Sequence, residues 1–392
     1  IIPPADVVVD QKQPGCKYPF KDLCGAGVAW KLVCYLYDKE GISKNEQYDF
    51  LELVCIATIS DVMDLKDENR IIVKEGLKRL SKTKNVGLRE LIRQNNIDIY
   101  QIDVDDIGFV LGPCLNASGR LDTAELAMNL LESEDDETAT LLAQKLKSLN
   151  EQRKEMTTHW VEQTIKLVEL NLLKNDKVLV VYLHDCHESI IGLVAGKLKE
   201  YYNKPVFVLT NSVHGTMGSG RSIEEYSMYE ELCKCKECFT RFGGHKMAAG
   251  FLLIDNNIDK FMSMLNESCK LKDENLVRKV CIDMPILLNC INKAFVKQLD
   301  ILKPFGKGNP KPVFLSENLK VLSPRIIGKN KNVVKMVVID ETGYKVDAIY
   351  FGSTKEFVNY VTENTELTFT YSPSINSYMG RENLQITIID YK

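Results

Sequence analysis

Between Glu134 and Asn171 the chain runs without a glycine or a proline. Within that stretch Leu142, Leu146, Leu149, Met156, Trp160, Thr164 and Val168 fall three or four residues apart, except for a seven-residue step over Arg153. That spacing predicts one long helix with an apolar stripe, of the kind that bridges domains. The chain's 392 residues also exceed what one compact core usually holds, so two or three domains are expected, with the helix separating two of them.

The hydrophobic period differs on the two sides of this helix. Upstream, "DLCGAGVAWKLVCYLY" and "YDFLELVCIATISDVMDL" carry helical periodicity, the second running into a polar turn. Downstream, "KVLVVYL" and "KPVFVLT" are β-branched runs flanking the helical "ESIIGLVAGKLKEYY", so residues 177–210 read as a βαβ unit. "SMYEELCKCKECFTRF" reads as a further helix, followed by a tight loop "RFGGHKMAAG" and an apolar strand "FLLI". Beyond about Asp273 the pattern becomes alternating strands: "VFLSENLKVL", "VVKMVVID", "VDAIYFG", "ELTFTYS" and "LQITIID". Five short strands with turn signals suggest a small barrel of the oligonucleotide-binding type. The fold class is therefore α/β multidomain, divided at 1–133, 134–175, 176–270 and 271–392.

Composition narrows the function classes. A net charge of −4 argues against a uniformly basic nucleic-acid binder while allowing local patches. No window approaches the apolar run needed to span a bilayer, and no signal-peptide pattern opens the chain. Twelve scattered cysteines, mostly in apolar periodic segments, read as reduced core thiols of a cytoplasmic protein. The first residue is isoleucine, from which a fragment or processed piece is expected.

Three polar stretches carry candidate chemistry. Gly243 and Gly244 leave backbone N–H groups bare to an anion, and His245 adds a hydrogen bond or a charge. "GSGRS" sets Ser219 and Arg221 between glycines, in a loop suited to a phosphate oxygen, and "LNASGRLD" offers Asn116 and Arg120 on another short polar turn. Singly, each also reads as an ordinary turn with a surface side chain. Asp61 in "ATISDVMDL" follows a long apolar run; it is either an oxygen ligand for a hard divalent cation at a cleft mouth or a cap for a turn. His187 precedes a helix start, where it caps the helix or touches a ligand. Cys233, Cys235 and Cys238 form C-x-C-x-x-C, but inside a helical pattern all three close a tetrahedron poorly, and no fourth ligand stands nearby. In the barrel, Arg325, Lys329, Lys331 and Lys335 cluster near a hairpin, with Tyr344, Tyr350, Phe351, Tyr371 and Tyr378 among the strands. Cations that follow a backbone and rings that stack on bases suit single-strand binding, although a lysine-rich hairpin is also a common way to keep a sheet edge soluble.

Taken in order, "YPFKDLCGAGVAWKL", "ATISDVMDLKDENRIIVKEGLKRL", "GPCLNASGRLDTAELAMNLL", "HESIIGLVAGKLKEYYNKPVFVLT", "GSGRSI", "RFGGHKMAAGF" and "LKPFGKGNPKPVF" closely resemble the RecJ exonuclease family of the DHH phosphoesterase superfamily. The resemblance implies the C-terminal part of a DHH domain over 1–133, a connecting helix over 134–175, a DHHA1 nucleic-acid-binding domain over 176–270 and an oligonucleotide-binding barrel over 271–392. It implies a 5′→3′ exonuclease on single-stranded DNA, a hydrolase of DNA repair and recombination with two Mn2+ or Mg2+ ions, and as partners a single-strand-binding protein and a helicase. By the same resemblance Asp61 is a catalytic metal ligand. Asn116, Arg120, Ser219, Arg221, Gly243, Gly244 and His245 hold the nucleic-acid backbone and its 5′ end, with His187, Lys329 and Lys331 as additional contacts.

The match to the family's pattern has a gap. The sequence contains no DHH triplet and no "DxDxDG" loop, which in the family supply most metal ligands, and the family's DHH lies just upstream of a segment like "PPADVVVDQKQPGCKYPF". The chain as written is therefore expected to be the substrate-binding remainder of a nuclease rather than a competent one. Two other classes stay open: a phosphodiesterase of short oligonucleotides or cyclic dinucleotides, and a non-catalytic single-strand-binding scaffold.

Overall fold

The computed structural model describes residues 4–254, 257–328, 331–378 and 381–392. They form two compact units: one combines the described residues up to Ser81 with Ile102–Gly108 and everything from Lys279 onward, the other Lys82–Gln101 with Phe109–Arg278. Among the described residues no helix is long and apolar enough to cross a membrane.

The expected long helix organises the second unit. It runs Asp136–Leu170, and the Asp135 carboxylate caps it by accepting from the Thr138 N–H at 2.7 Å. Its stripe buries Ala139, Ala143, Leu146, Leu149, Thr164 and Val168. The C-terminal half, with Met156, Trp160 and Val168, packs onto one face of a five-stranded sheet. That sheet has the order β1 (Leu179–Tyr182), β2 (Val206–Ser212), β3 (Gly215–Arg221), β5 (Ala248–Leu253), β4 (Phe239–His245). β1 and β2 are parallel and joined through the helix Ile191–Tyr202, as the βαβ reading requires; the other pairings are antiparallel. Alternation divides two cores. Leu179, Val181, Val206 and Val208 face the helices, while Val180, Phe207, Phe239, Phe251 and Phe261 fill the opposite side.

The three stretches read as loops are not loops. "GSGRS" lies in β3 through Arg221, "FGGH" is the end of β4, and Asn116 with Arg120 sits in the helix Gly112–Leu121. The glycines serve packing as much as backbone approach. A Cβ on Gly218 would lie 2.1 Å from the Phe251 ring, and one on Gly220 2.7 Å from the Phe207 ring. Each strand glycine thus makes room for an aromatic ring on the inner face, a tertiary cause that local sequence cannot reveal. The helix expected over "SMYEELCKCKECFTRF" stops at Lys234, and a single 3-10 turn, Lys236–Cys238, leads into β4. Cys235 and Cys238 are buried there and Cys233 is exposed.

In the first unit the helices Gly25–Lys39, Leu51–Ser60 and Asp67–Leu80 pack around Leu23, Trp30, Leu51, Val54 and Ile72. Its remainder is a barrel of β7 (Phe314–Ile327), β8 (Val333–Ile339), β9 (Lys345–Phe351), β10 (Leu367–Tyr378) and β11 (Arg381–Tyr391), with β6 (Met284–Pro285) beside β7. The β10–β7 pairing closes the cylinder, and β11 runs parallel to β9. The helix Thr354–Glu363 bridges β9 and β10. This is the expected oligonucleotide-binding topology, closed so that its five strands leave no free edge among themselves.

Candidate nucleic-acid interface

Register places the candidate residues of the sheet on one face. Ser219 is opposite Gly250 and Gly250 opposite Gly243; one row further on, Arg221 is opposite Ala248 and Ala248 opposite His245. All six positions share the side on which Val206 and Val208 meet the helices. The helical layer reaches the sheet as far as β3. A Cβ on Gly192, in the first turn of the Ile191–Tyr202 helix, would lie 2.8 Å from Arg221 Nη2 and 3.0 Å from Ser219 Oγ. Beyond that contact Gly250, Gly243, Gly244 and His245 are exposed, leaving a shallow floor of bare backbone. Gly244 is fixed for another reason as well: its φ is +156°, and a Cβ would lie 2.4 Å from the Ala248 carbonyl oxygen. His245 Nδ1 accepts from the Met247 N–H at 3.2 Å and closes the two-residue hairpin turn.

Cations gather at the covered edge of this floor. Arg221 Nη1 donates to Ser219 Oγ at 3.2 Å and to the Gly220 carbonyl at 2.8 Å. Arg120 Nη1 donates to the Ser189 carbonyl at 2.7 Å, and His187 Nδ1 lies 2.7 Å from Ser189 Oγ, so the loop before the helix joins them. Asn116 and Arg120 are one helical turn apart and both exposed, and share a helix face. Burial lowers the Arg221 pKa from its ordinary value, and the Arg120 charge lowers it further. Among the described residues the arginines paired with carboxylates are Arg79, Arg89 and Arg93, none of them in this group. Two guanidiniums without carboxylate partners, beside a serine hydroxyl and the first turn of a helix, are the kind of donors an anion with several oxygens would need.

Arg153 joins this group without any motif to announce it. The seven-residue step in the stripe is where the long helix turns polar: Asn150 is only 2 % exposed, and Arg153 Nε donates to its Oδ1 at 3.1 Å. Arg153 too has its pKa lowered by burial and then by Arg120. The gap in the periodicity is the signal that sequence offers for it.

Asp61 belongs to the first unit and has a different setting. It caps the C-terminus of the helix Leu51–Ser60, its N–H donating to the Ala57 carbonyl at 2.9 Å, and it is exposed. Val62, the next residue, is held at φ +54°, unfavourable for a β-branched side chain. No group of three or more His, Cys, Asp or Glu side chains able to hold a metal occurs among the described residues. One carboxylate is less than a divalent cation needs, so these residues do not fit a complete ion site.

On the barrel, Lys331 is exposed and Arg325 pairs across the strands with exposed Lys335, whereas Lys329 lies outside the described residues. Most of the rings expected to stack on bases are structural instead. Tyr371 is fully buried with its hydroxyl 2.7 Å from Ser316 Oγ, Tyr350 stacks on Phe357 at 4.2 Å, and the Tyr344 hydroxyl donates to the Ile291 carbonyl. A small barrel needs large side chains to fill it. Phe351 is 57 % exposed and free to stack; the Tyr378 side chain is outside the described part.

Comparison with known proteins agrees with this architecture. A family model described as the DHHA1 domain matches residues 175–271, and one described as the RecJ OB domain matches 282–390. The single-stranded-DNA-specific exonuclease RecJ of Bacillus subtilis (strain 168) is 35% identical over 393 residues, covering 99% of this chain and 49% of the relative. That of Haemophilus influenzae is 32% identical over 411 residues, covering 100% of this chain and 71% of the relative. This chain thus spans about half the length of the first of these relatives. The crystal structures of RecJ from Thermus thermophilus in complex with Mg2+ and with Mn2+ each superpose with a TM-score of 0.81 at 25% identity, covering 96% and 97% of this chain and 57% and 54% of theirs.

Proposed function

The chain belongs to the RecJ family of single-stranded-DNA-specific exonucleases, and on that premise we propose that it acts in 5′→3′ hydrolysis of single-stranded DNA, in repair and recombination, by gripping the strand's phosphates on the β3–β5–β4 face. The observation that carries the reading is the group of arginines without acidic partners at the edge of a glycine floor. Arg221, Ser219 and Arg120 hold phosphate oxygens, while Gly243, Gly250 and Ala248 allow the backbone of the strand to lie against the sheet. His245 and Asn116 flank that path, and His187 orients Ser189. The closed barrel with its Arg325–Lys335 pair supports a strand longer than a dinucleotide.

For the chemistry, Asp61 would give one oxygen ligand to a Mn2+ or Mg2+ ion, which when bound polarises the phosphodiester and activates water. The described residues do not complete such a site, so what this chain's own side chains supply is the binding and orientation of the strand.

The test is binding of a 5′-phosphorylated single strand and of the matching blunt duplex in EDTA. The reading predicts tight binding that is selective for the single strand and is weakened by Arg221→Ala. Equal affinity for duplex and single strand, or an Arg221→Ala protein that binds as the wild type does, contradicts it.

A further inference from the structure

We propose that Arg153, on the long helix, is a third phosphate ligand of this site and sets its preference for a terminal phosphate over an internal one, with Asn150 as the residue that positions it. The inference rests on the reading of the β3 edge as a phosphate site. Arg153 is half-buried, at the one place where the helix's apolar stripe is broken. Its Nε is committed to Asn150 Oδ1 at 3.1 Å, and Asn150 Nδ2 is in turn 3.2 Å from Cys114 Sγ. Cys114 is fully buried on the same short helix that carries Arg120. A buried asparagine thus anchors one arginine to the element that bears the other, and Nη1 and Nη2 of Arg153 remain for a ligand.

Charge balance gives the specificity. An internal phosphodiester carries one negative charge, whereas a terminal phosphate carries about −1.5 to −2 at neutral pH, as a phosphomonoester does. Burial first, and then the Arg120 charge, lowers the pKa of both Arg153 and Arg221, and neither pairs with a carboxylate among the described residues, so the more highly charged anion gains most. A planar guanidinium that offers two parallel donors also suits a terminal phosphate's three free oxygens better than a diester's two.

The experiment compares 5′-phosphorylated and 5′-hydroxyl dT oligonucleotides by fluorescence anisotropy in EDTA, for the wild type and for Arg153→Met, Arg153→Lys, Asn150→Ser and Arg221→Met. Melting temperatures identify any variant that has merely lost its fold. Arg153→Met is expected to lower affinity for the phosphorylated strand roughly tenfold, the scale of a lost hydrogen bond to a charged group, and to abolish most of the preference for it. Arg153→Lys keeps the charge without the fork and should restore affinity only in part. Asn150→Ser should weaken binding of the phosphorylated strand more than that of the hydroxyl strand, a split that simple destabilisation of the helix would not give. If Arg153→Met and Arg153→Lys both keep the wild-type preference while Arg221→Met loses binding, the role of Arg153 is refuted and the phosphate site stands. If Arg221→Met also binds as the wild type does, the underlying reading fails and this inference with it.

Discussion

The β3 edge and the Asp61 turn are both polar positions at the ends of apolar elements, yet they differ in how much the fold commits to them. Around Arg221 a strand, neighbouring helices and a glycine floor converge, and hydrogen bonds to Ser219, Ser189 and Asn150 fix each cation. Around Asp61 there is an exposed carboxylate on a helix C-cap, a valine in a left-handed conformation and then Asp64, which is already paired with Lys66 and Lys307. Binding an anion needs donors that one unit can gather from its own elements. Holding a divalent ion needs several anionic ligands at once, and among the described residues this turn leaves only Asp61 without a lysine partner.

The largest effect should come from the weaker-looking region. In a protein that also carries the remaining metal ligands, Asp61→Asn is expected to reduce Mn2+-dependent digestion of single strands to background, while stability stays within about 0.5 kcal/mol, as for exposed positions generally. Binding of the strand in EDTA should not change. Retained digestion by this variant would remove Asp61 from the chemistry.

Gly218→Val tests the other region through its scaffold. A side chain driven into the Phe251 ring should destabilise the protein by about 3 kcal/mol in urea unfolding, and strand binding should fall with it. A stable variant would mean that the glycine serves backbone approach alone.

The barrel gives a pH-dependent contrast. Burial pushes the Tyr371 hydroxyl from its ordinary value of 10.0 up to about 12. Above pH 10 the unfolded chain releases this proton while the folded barrel retains it, so stability is full below pH 10 and falls as pH rises toward 12. The loss is about 3 kcal/mol. Tyr371→Phe should be less stable at pH 8, having lost the bond to Ser316, but should show a shallower alkaline decline. An unchanged decline would place the titrating group elsewhere.

Smallest of all, Lys335→Ala should weaken strand binding about threefold or less, since an exposed lysine contributes as one screened charge. An effect as large as that of Arg221→Ala would move the principal grip from the sheet to the barrel.

The contrast also bears on what can be read from sequence. The long helix, expected from Glu134 to Asn171, runs Asp136–Leu170, and the βαβ unit and barrel strands lie where alternation puts them, because period is a local property. The residues Ser219, Arg221 and Arg120, expected on loops, lie on a strand and a helix. Glycines at 218 and 220 resemble a loop because their partners, Phe251 and Phe207, are distant in sequence. Arg153 escapes notice since a gap in an apolar stripe has no meaning until Asn150 and Cys114 are seen to fill it. Tyr350 and Tyr371 pass for base-stacking rings because an aromatic in a barrel strand looks the same whether it faces in or out.

The central claim is that phosphate is held by arginines of the second unit. Its most direct test is the salt dependence of binding to a 5′-phosphorylated single strand in EDTA, for the wild type and for the Arg120→Ala/Arg221→Ala double variant. Each lost phosphate contact should flatten the slope of log affinity against log salt by about 0.7, so the double variant should be shallower by roughly 1.4 and weaker throughout. Two parallel lines of equal height would show that the strand is held elsewhere.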